Sequence, residues 1–144
     1  MKRIVLSLIV LAALLAAGSA RAAEGPAMTT ARQLDLASQH LASTAQQQAK
    51  AGSLTSQAAE TAAGFAALVR DFHFGLEPSI TSTIQAEADW AQVAEGFTAT
   101  RDLLYGSDSR ALRNELHRVN ALMNQLDRAF GGSGFWSGRN GWNG

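Results

Sequence analysis

The sequence predicts an all-α fold: an antiparallel up-down-up-down four-helix bundle with a flexible Gly/Trp-rich C-terminal tail. Three observations predict it. Nonpolar residues recur in steps of three and four, glycines and short polar segments interrupt this pattern, and no stretch alternates with the period of two that half-buried strands show. We expect a signal peptide over 1–22, the bundle over 23–130 and the tail over 131–144.

The N-terminal segment has the three parts of a secretory signal. A basic start at residues 2–3 precedes an uncharged apolar run of about 14 residues, and residues 20–22 read Ala-Arg-Ala, the small-x-small pattern of a signal peptidase site. We place the cut after Ala22, with Ala20 and Ala23 as alternatives. The competing interpretation is a membrane anchor, but a helix of this length rises only about 21 Å, against a hydrocarbon core of ~30 Å. We therefore expect a periplasmic or secreted protein without a stable membrane anchor after cleavage.

The composition excludes several classes of function. The chain has no cysteine, which excludes a lipoprotein anchor, disulfides, thiolate metal sites and thiol redox chemistry. Loss of Lys2, Arg3 and Arg21 with the signal leaves nine basic residues against twelve acidic ones. A mildly acidic domain without a basic cluster is not expected to bind nucleic acid, whose phosphates are neutralised by Lys and Arg.

The first two predicted helices lie on either side of Gly52. The first begins at a capping box formed by Thr30 and Gln33 and runs to about Ala51, and Gly52 is expected to stop it in the left-handed conformation. Its apolar stripe comprises Leu34, Ala37, Leu41, Ala45 and Ala49. The second helix runs to about His73. Its stripe comprises Leu54, Ala58, Ala62, Phe65, Leu68, Val69 and Phe72, and Gly75 ends it.

The third and fourth predicted helices lie on either side of Gly106. The third is expected to begin at Pro78, because proline is tolerated in the first turn of a helix. Ser79 is an alternative N-cap. Its stripe comprises Ile80, Ile84, Ala86, Trp90, Val93, Phe97 and Leu104. The fourth is capped by Ser107, Asp108 or Ser109, and its stripe comprises Leu112, Leu116, Val119, Met123, Leu126 and Phe130. Short connections between long helices favour antiparallel neighbours.

Histidines are the natural metal ligands to consider, and His40 and His117 can lie at the same height along the axis of the bundle. Both lie beside the apolar stripes, however, and no helix carries the Glu-x-x-His or His-x-x-x-His spacing that places two ligands on one face. Neither Met28 nor Met123 is expected to bind a haem iron together with His117: Met28 lies roughly 20 Å away along the bundle, and Met123 is on a different face of the same helix. We expect no metal and no cofactor.

Catalytic patterns are missing from the sequence as well. There is no Gly-x-Ser-x-Gly elbow and no phosphate-binding Gly-x-x-x-x-Gly-Lys-Ser/Thr loop, and Glu87 and Asp89 are two apart, so they point in different directions on a helix. We expect that the protein is not an enzyme, because none of the required groupings is present.

Aromatic residues give the remaining candidates. Trp90 is expected in the core, or in a ligand pocket with Phe97 and Phe65. In the tail, Phe135, Trp136 and Trp142 either form a partner-binding site or cover an apolar seam of the bundle.

The sequence therefore predicts an exported non-enzymatic helical bundle, acting as a binding or structural interaction module in the bacterial periplasm. Its partner would be another envelope protein, or a second copy in self-association. The alternative is a carrier of a small ligand or metal in the space between the helices.

Overall fold

A computed structural model describes residues 25–76 and 83–129. These residues form four α-helices and no strand, which confirms the predicted all-α class for this part of the chain. The helices are α1 (Pro26–Lys50), α2 (Ser56–Gly75), α3 (Thr83–Leu104) and α4 (Arg110–Ala129). The predicted signal peptide, the tail over 131–144 and the predicted start of the third helix at Pro78 lie outside the described residues.

The first helix begins one turn earlier than predicted, so the capping box at Thr30 is wrong. Gly25 is the N-cap and Pro26 occupies the first turn. The fixed φ of proline suits a helix, and its lack of an N–H costs no hydrogen bond there, because N–H groups of the first turn have no acceptor within the helix. The Thr30 hydroxyl donates to the Pro26 carbonyl oxygen at 2.8 Å, inside the helix. A hydroxyl bonded back to the preceding turn does not cap the N–H groups ahead of it.

The other helix ends largely follow the sequence. Gly52 has φ of +76°, the left-handed conformation predicted for the end of α1. The Thr55 hydroxyl caps α2 by accepting a hydrogen bond from the Ala58 N–H at 3.2 Å. Among the three predicted caps of α4, Ser109 accepts from the Leu112 N–H at 3.4 Å. The hydroxyl of a short side chain therefore caps the N-terminus of each of these two helices.

Three of the four neighbouring helix pairs pack closely. Helix α1 packs against α2 and α4, and α2 packs against α3, whereas α3 and α4 approach each other at few points. Among the described residues, α3 and α4 are thus the neighbouring pair of helices that packs least closely. The largest fully buried side chains come from all four helices: Leu34, Leu41, Phe65, Val69, Phe72, Val93, Phe97, Leu104, Leu112, Val119, Met123 and Leu126. Four residues of the predicted stripes pack against this core but are only partly buried: Ala49, Leu54, Leu68 and Leu116.

Aromatic pairs join α2 to α3. The Phe65 and Phe97 rings lie 5.6 Å apart between centroids, and Phe72 and Trp90 lie 5.4 Å apart, both in tilted arrangements. Later residues of α2 therefore meet earlier residues of α3. Tilted pairs at this separation add attraction beyond the burial of the rings. All four buried aromatic side chains of the described residues therefore lie at this interface.

The space around two helical glycines, Gly64 and Gly96, predicts how an alanine at each position changes the stability of the protein. A Cβ at Gly64 meets nothing within 4 Å, whereas a Cβ at Gly96 lies 2.9 Å from Cδ1 of Leu68. We expect Gly64→Ala to raise the free energy of unfolding by about 0.5–1 kcal/mol, since alanine loses less backbone entropy in a helix. Urea unfolding measures this value. Gly96→Ala is the matched control and should gain less because Leu68 must move; an equal gain from both would contradict the packing described.

Candidate functional site

A cleft lies between α3 and α4, where the bundle is open. Its volume is about 310 Å³. The lining residues are Phe97, Arg101, Tyr105, Arg113, Leu116, His117 and Asn120. The cleft is thus a consequence of the fold, because the two helices that form its walls are the pair that packs least closely.

Helical periodicity places these side chains on two facing rows. On the α3 side, Phe97, Arg101 and Tyr105 follow each other at intervals of four. On α4, the lining residues run from Arg113 to Asn120 in steps of three and four, with His117 beside Leu116. Residues three and four apart share one face of a helix. Each wall is therefore a continuous strip of side chains.

The cleft has an apolar floor. Phe97 is 1 % exposed and packs against Phe65, so one face of its ring is fixed by the core. Leu116 is partly buried and contacts the same core from α4. At one end, near the α3–α4 connection, the Tyr105 side chain is largely exposed.

Positive charge dominates the polar part of the cleft. Arg101 and Arg113 lie on opposite walls, and none of the described lining residues is Asp or Glu. The Nε and Nη2 atoms of Arg101 donate to Oδ1 of Asp102 at 3.0 and 2.8 Å; the Arg101 side chain is 21 % exposed and that of Asp102 is 63 % exposed. Nη1 of Arg113 donates to the backbone carbonyl of Ser107 at 3.3 Å.

A second opening, on the outer side of α1 and α2, has different chemistry. Its volume is also about 310 Å³, and its lining residues are Gln39, Ala42, Ser43, Gln46, Ala63, Ala66, Ala67 and Arg70. Small side chains and amides form most of this groove. Among the described lining residues, Arg70 is the one charged side chain and none is aromatic.

A buried polar pair joins α1 to α2. Oδ2 of Asp35 lies 3.1 Å from Nδ1 of His73, and Nε2 of Gln39 donates to Oδ1 of Asp35 at 2.8 Å. The Asp35 side chain is 9 % exposed, and the His73 ring stacks on Phe74 with centroids 5.2 Å apart. Both carboxylate oxygens therefore have partners. This arrangement links two helices, and we assign it a structural role because a buried carboxylate must be hydrogen-bonded.

Removing the Asp35 carboxylate is expected to destabilise the protein. We expect Asp35→Ala to lower the free energy of unfolding by about 1–3 kcal/mol, because the partners on His73 and Gln39 lose their hydrogen-bond acceptor. In a double-mutant cycle with His73→Ala, the two losses should be less than additive, since both changes remove the same contact. Asp71→Ala, an exposed aspartate on α2, serves as the control. Strict additivity in urea unfolding would contradict the pairing.

The structure separates the two histidines singled out by the sequence. His117 lines the α3–α4 cleft, whereas His40 is an exposed residue of α1 and does not belong to the lining. Within 25–76 and 83–129, no group of three or more His, Cys, Asp or Glu side chains is placed to hold a metal ion. In the same ranges, no helix has the combination of length and apolar character needed to cross a bilayer.

The predicted aromatic sites have different outcomes. Trp90 is 6 % exposed and belongs to the core. Of the three residues of the predicted aromatic pocket, Phe97 lines the cleft, whereas Phe65 and Trp90 are buried in ring-to-ring contacts. The tail residues lie outside the described part of the chain: Phe135, Trp136 and Trp142. Sequence reasoning missed Arg101 and Arg113, although each lies one helical turn from an apolar residue of the cleft floor.

Comparison with known proteins yields no similarity: no protein-family model, no curated protein and no solved structure matches the chain.

Proposed function

We propose that this chain is an exported, non-enzymatic helical-bundle protein that binds a small ligand in the α3–α4 cleft. The observation that carries the proposal is the cleft itself, an opening of about 310 Å³ with an apolar floor and a polar rim. Ligand pockets occupy about 300–1,000 Å³ and occur between the helices of bundles, lined by apolar side chains with a few polar groups. The volume lies at the small end of that range.

The proposal includes the up-down-up-down order of the helices. In a square bundle of that order, each helix packs against the one before and the one after, and α4 closes the square against α1. Close packing of α1 with α2, α2 with α3 and α1 with α4 supports three sides of such a square. The fourth side, between α3 and α4, is the open one. A ligand bound there would complete the packing of the bundle.

A binding role is favoured over catalysis by the residues of the cleft. Among the described residues, its lining contains no Ser, Thr, Cys, Lys, Asp or Glu. Nucleophilic catalysis by a protein side chain requires an activated nucleophile with a base beside it, and these are the side chains that most often act as that nucleophile. Export is supported by the signal-like pattern of residues 1–22.

The cleft also favours a small ligand over a macromolecular partner. The predicted interaction site for another envelope protein or a second copy rests on Phe135, Trp136 and Trp142, which stays a prediction from the sequence. The cleft residues, in contrast, are brought together from two helices and enclose a defined volume. A compact opening of this size accommodates a small molecule better than an extended protein surface.

Native mass spectrometry of the protein recovered from the periplasm tests this proposal. We expect a polypeptide mass lacking residues 1–22, together with a non-covalent small-molecule adduct. Asn120→Trp places an indole in the cleft and should remove the adduct, whereas Ser43→Trp in the α1–α2 groove should retain it. An unprocessed chain would contradict export. An adduct that survives Asn120→Trp and is lost with Ser43→Trp would contradict the assignment of the site.

A further inference from the structure

Two exposed apolar side chains lie together on the outer side of the α1–α2 pair. Leu36 is 52 % exposed and Phe74 is 56 % exposed. We propose that this outer patch, which comprises Leu36 and Phe74, is the docking surface for the chain's own tail, with the indole of Trp136 as the group that covers it. The outer patch is separate from the α3–α4 cleft, so its occupant is a different question from the ligand of that cleft.

A polar contact between the helices shows that Leu36 and Phe74 are neighbours. Oδ2 of Asp35 lies 3.1 Å from Nδ1 of His73. Leu36 directly follows Asp35, and Phe74 directly follows His73. The first half of α1 thus meets the last turn of α2, so the two helices run in opposite directions. One residue further along each helix turns the side chain by about 100°, and in antiparallel helices both turns lead to the same side of the pair. The two apolar side chains therefore lie at the same height on one side.

Exposed arginines flank the outer patch. Arg32 lies one turn before Leu36 on α1, and Arg70 lies one turn before Phe74 on α2. Because the helices run in opposite directions, these two arginines lie at opposite ends of the patch. An aromatic ring between them gains cation–π attraction and guanidinium stacking in addition to apolar contact. An aliphatic occupant would gain the apolar contact alone. The chemistry of the patch therefore favours an aromatic occupant.

The tail supplies such a ring within reach of the patch. In the helix order proposed above, α4 runs back alongside α1 and ends at the same end of the bundle as α2, whose last turn contains Phe74. Trp136 lies seven residues after Ala129. Seven extended residues span about 23–25 Å, whereas packed helices are only about 8–10 Å apart. Gly131 and Gly132 directly follow α4 and accept the backbone angles of a sharp turn. The first indole of the tail can therefore cross α1 to the outer patch.

Other occupants fit the outer patch less well. A stable interface with a second copy buries about 1,200–2,000 Å² in total, and two apolar side chains flanked by arginines provide a small part of that area. A tethered segment needs less area, because the linkage raises its effective concentration to about the millimolar range. Trp142 is tethered as well, but it lies thirteen residues after Ala129, and a longer loop costs more entropy to close. Trp136 is thus the favoured occupant.

Nuclear Overhauser spectroscopy of the full chain with ¹³C-labelled leucine methyl groups tests the contact. We expect a cross-peak between the methyl protons of Leu36 and the ring protons of Trp136. Trp136→Ala should abolish this cross-peak and shift the Leu36 methyl signals, because the ring current of the indole is lost. Trp142→Ala is the matched control and should change neither. The methyl signals of Leu103, an exposed leucine of α3, should stay unchanged in both variants.

A second pair of variants changes the surface instead of the tail. Leu36→Ser/Phe74→Ser should release the indole, so that acrylamide quenches tryptophan fluorescence more strongly than in the unaltered protein. The control is Leu103→Ser, which removes an exposed apolar side chain elsewhere and should leave the quenching unchanged. Trp90 is buried in the core and contributes equally in each protein. Circular dichroism of the variants checks that the helices are retained.

Four results would overturn the inference. A cross-peak from Leu36 to Trp142 in place of Trp136 would reject the assigned occupant. A cross-peak that disappears on dilution would show that a second copy covers the patch. Shifts at Leu103 in Trp136→Ala would place the indole on another surface, and absence of any cross-peak at Leu36 would reject docking. None of these results decides whether the α3–α4 cleft carries its small-molecule adduct, which the mass measurement tests separately.

Discussion

Phe72→Ala is expected to lower the free energy of unfolding by about 3–5 kcal/mol. Phe72 is 2 % exposed, and its ring packs on Trp90 at a centroid distance of 5.4 Å. Truncation removes the transfer free energy of the ring and leaves a cavity at the α2–α3 interface. Natural domains have about 5–15 kcal/mol of stability in total, so the loss would be a large share of it. Urea unfolding followed by circular dichroism measures the change.

Phe74 provides the matched control for this prediction. It lies two residues further along α2, and its side chain is 56 % exposed. Because more than half of its side chain stays exposed and its ring stacks on that of His73, Phe74→Ala should lower the free energy of unfolding by no more than about 1.5 kcal/mol. A loss at Phe74 as large as the loss at Phe72 would show that the face of α2 assigned to the core is wrong.

Glu115→Leu is expected to stabilise the protein by about 1–3 kcal/mol. Glu115 lies three residues after Leu112 and four before Val119, in line with two fully buried residues of α4. Its Oε2 atom is buried, and no donor from the described residues forms a hydrogen bond with it. A buried acceptor without a partner costs free energy, and leucine would replace this cost with apolar burial on the same stripe.

The control for Glu115 is Glu95→Leu, which removes an exposed carboxylate from α3. This substitution should change the free energy of unfolding by less than about 0.5 kcal/mol, since an exposed side chain has nearly the same surroundings in the folded and the unfolded protein. Thermal unfolding of both variants and of the unaltered protein provides the comparison. A loss of stability in Glu115→Leu would mean that the carboxylate has a partner, and that the account of this position is wrong.

The sequence predicts the helices of this fold well because each one buries a stripe of its own residues. Leu34, Leu41 and Leu126 are fully buried, as the steps of three and four predict. Gly52 ends α1 because the left-handed conformation is a local property that glycine favours. Spacing and backbone preference are both encoded within a few residues, so they can be recognised in a single sequence.

The features that the sequence did not predict depend on other parts of the chain. Leu116 has the same spacing as its neighbours on the stripe, yet it is only partly buried, because α3 and α4 stay apart. Asp35 is buried because His73, 38 residues later, provides its partner. At the start of α1, Pro26 and Thr30 both carry local signals for a helix start, and these signals do not rank one above the other; the helix begins at Pro26.

The candidate site was the least predictable part for the same reason. Arg101 and Arg113 are single charged residues on amphipathic helices, and most such residues are simply solvated. Their importance comes from the wall opposite each of them. The useful signal in the sequence is their alignment with Phe97 and Leu116, one turn away on the same helices, which places a cation at the end of an apolar row.

Two-dimensional NMR of the protein, titrated with the small molecule that is recovered with it, tests the central claim most directly. The account predicts that amide shifts concentrate at the two walls of the α3–α4 cleft, from Phe97 to Tyr105 and from Arg113 to Asn120, with the α1–α2 groove around Ser43 unchanged. Shifts that concentrate in the α1–α2 groove, or at the indole N–H signals of the tail tryptophans, would contradict it.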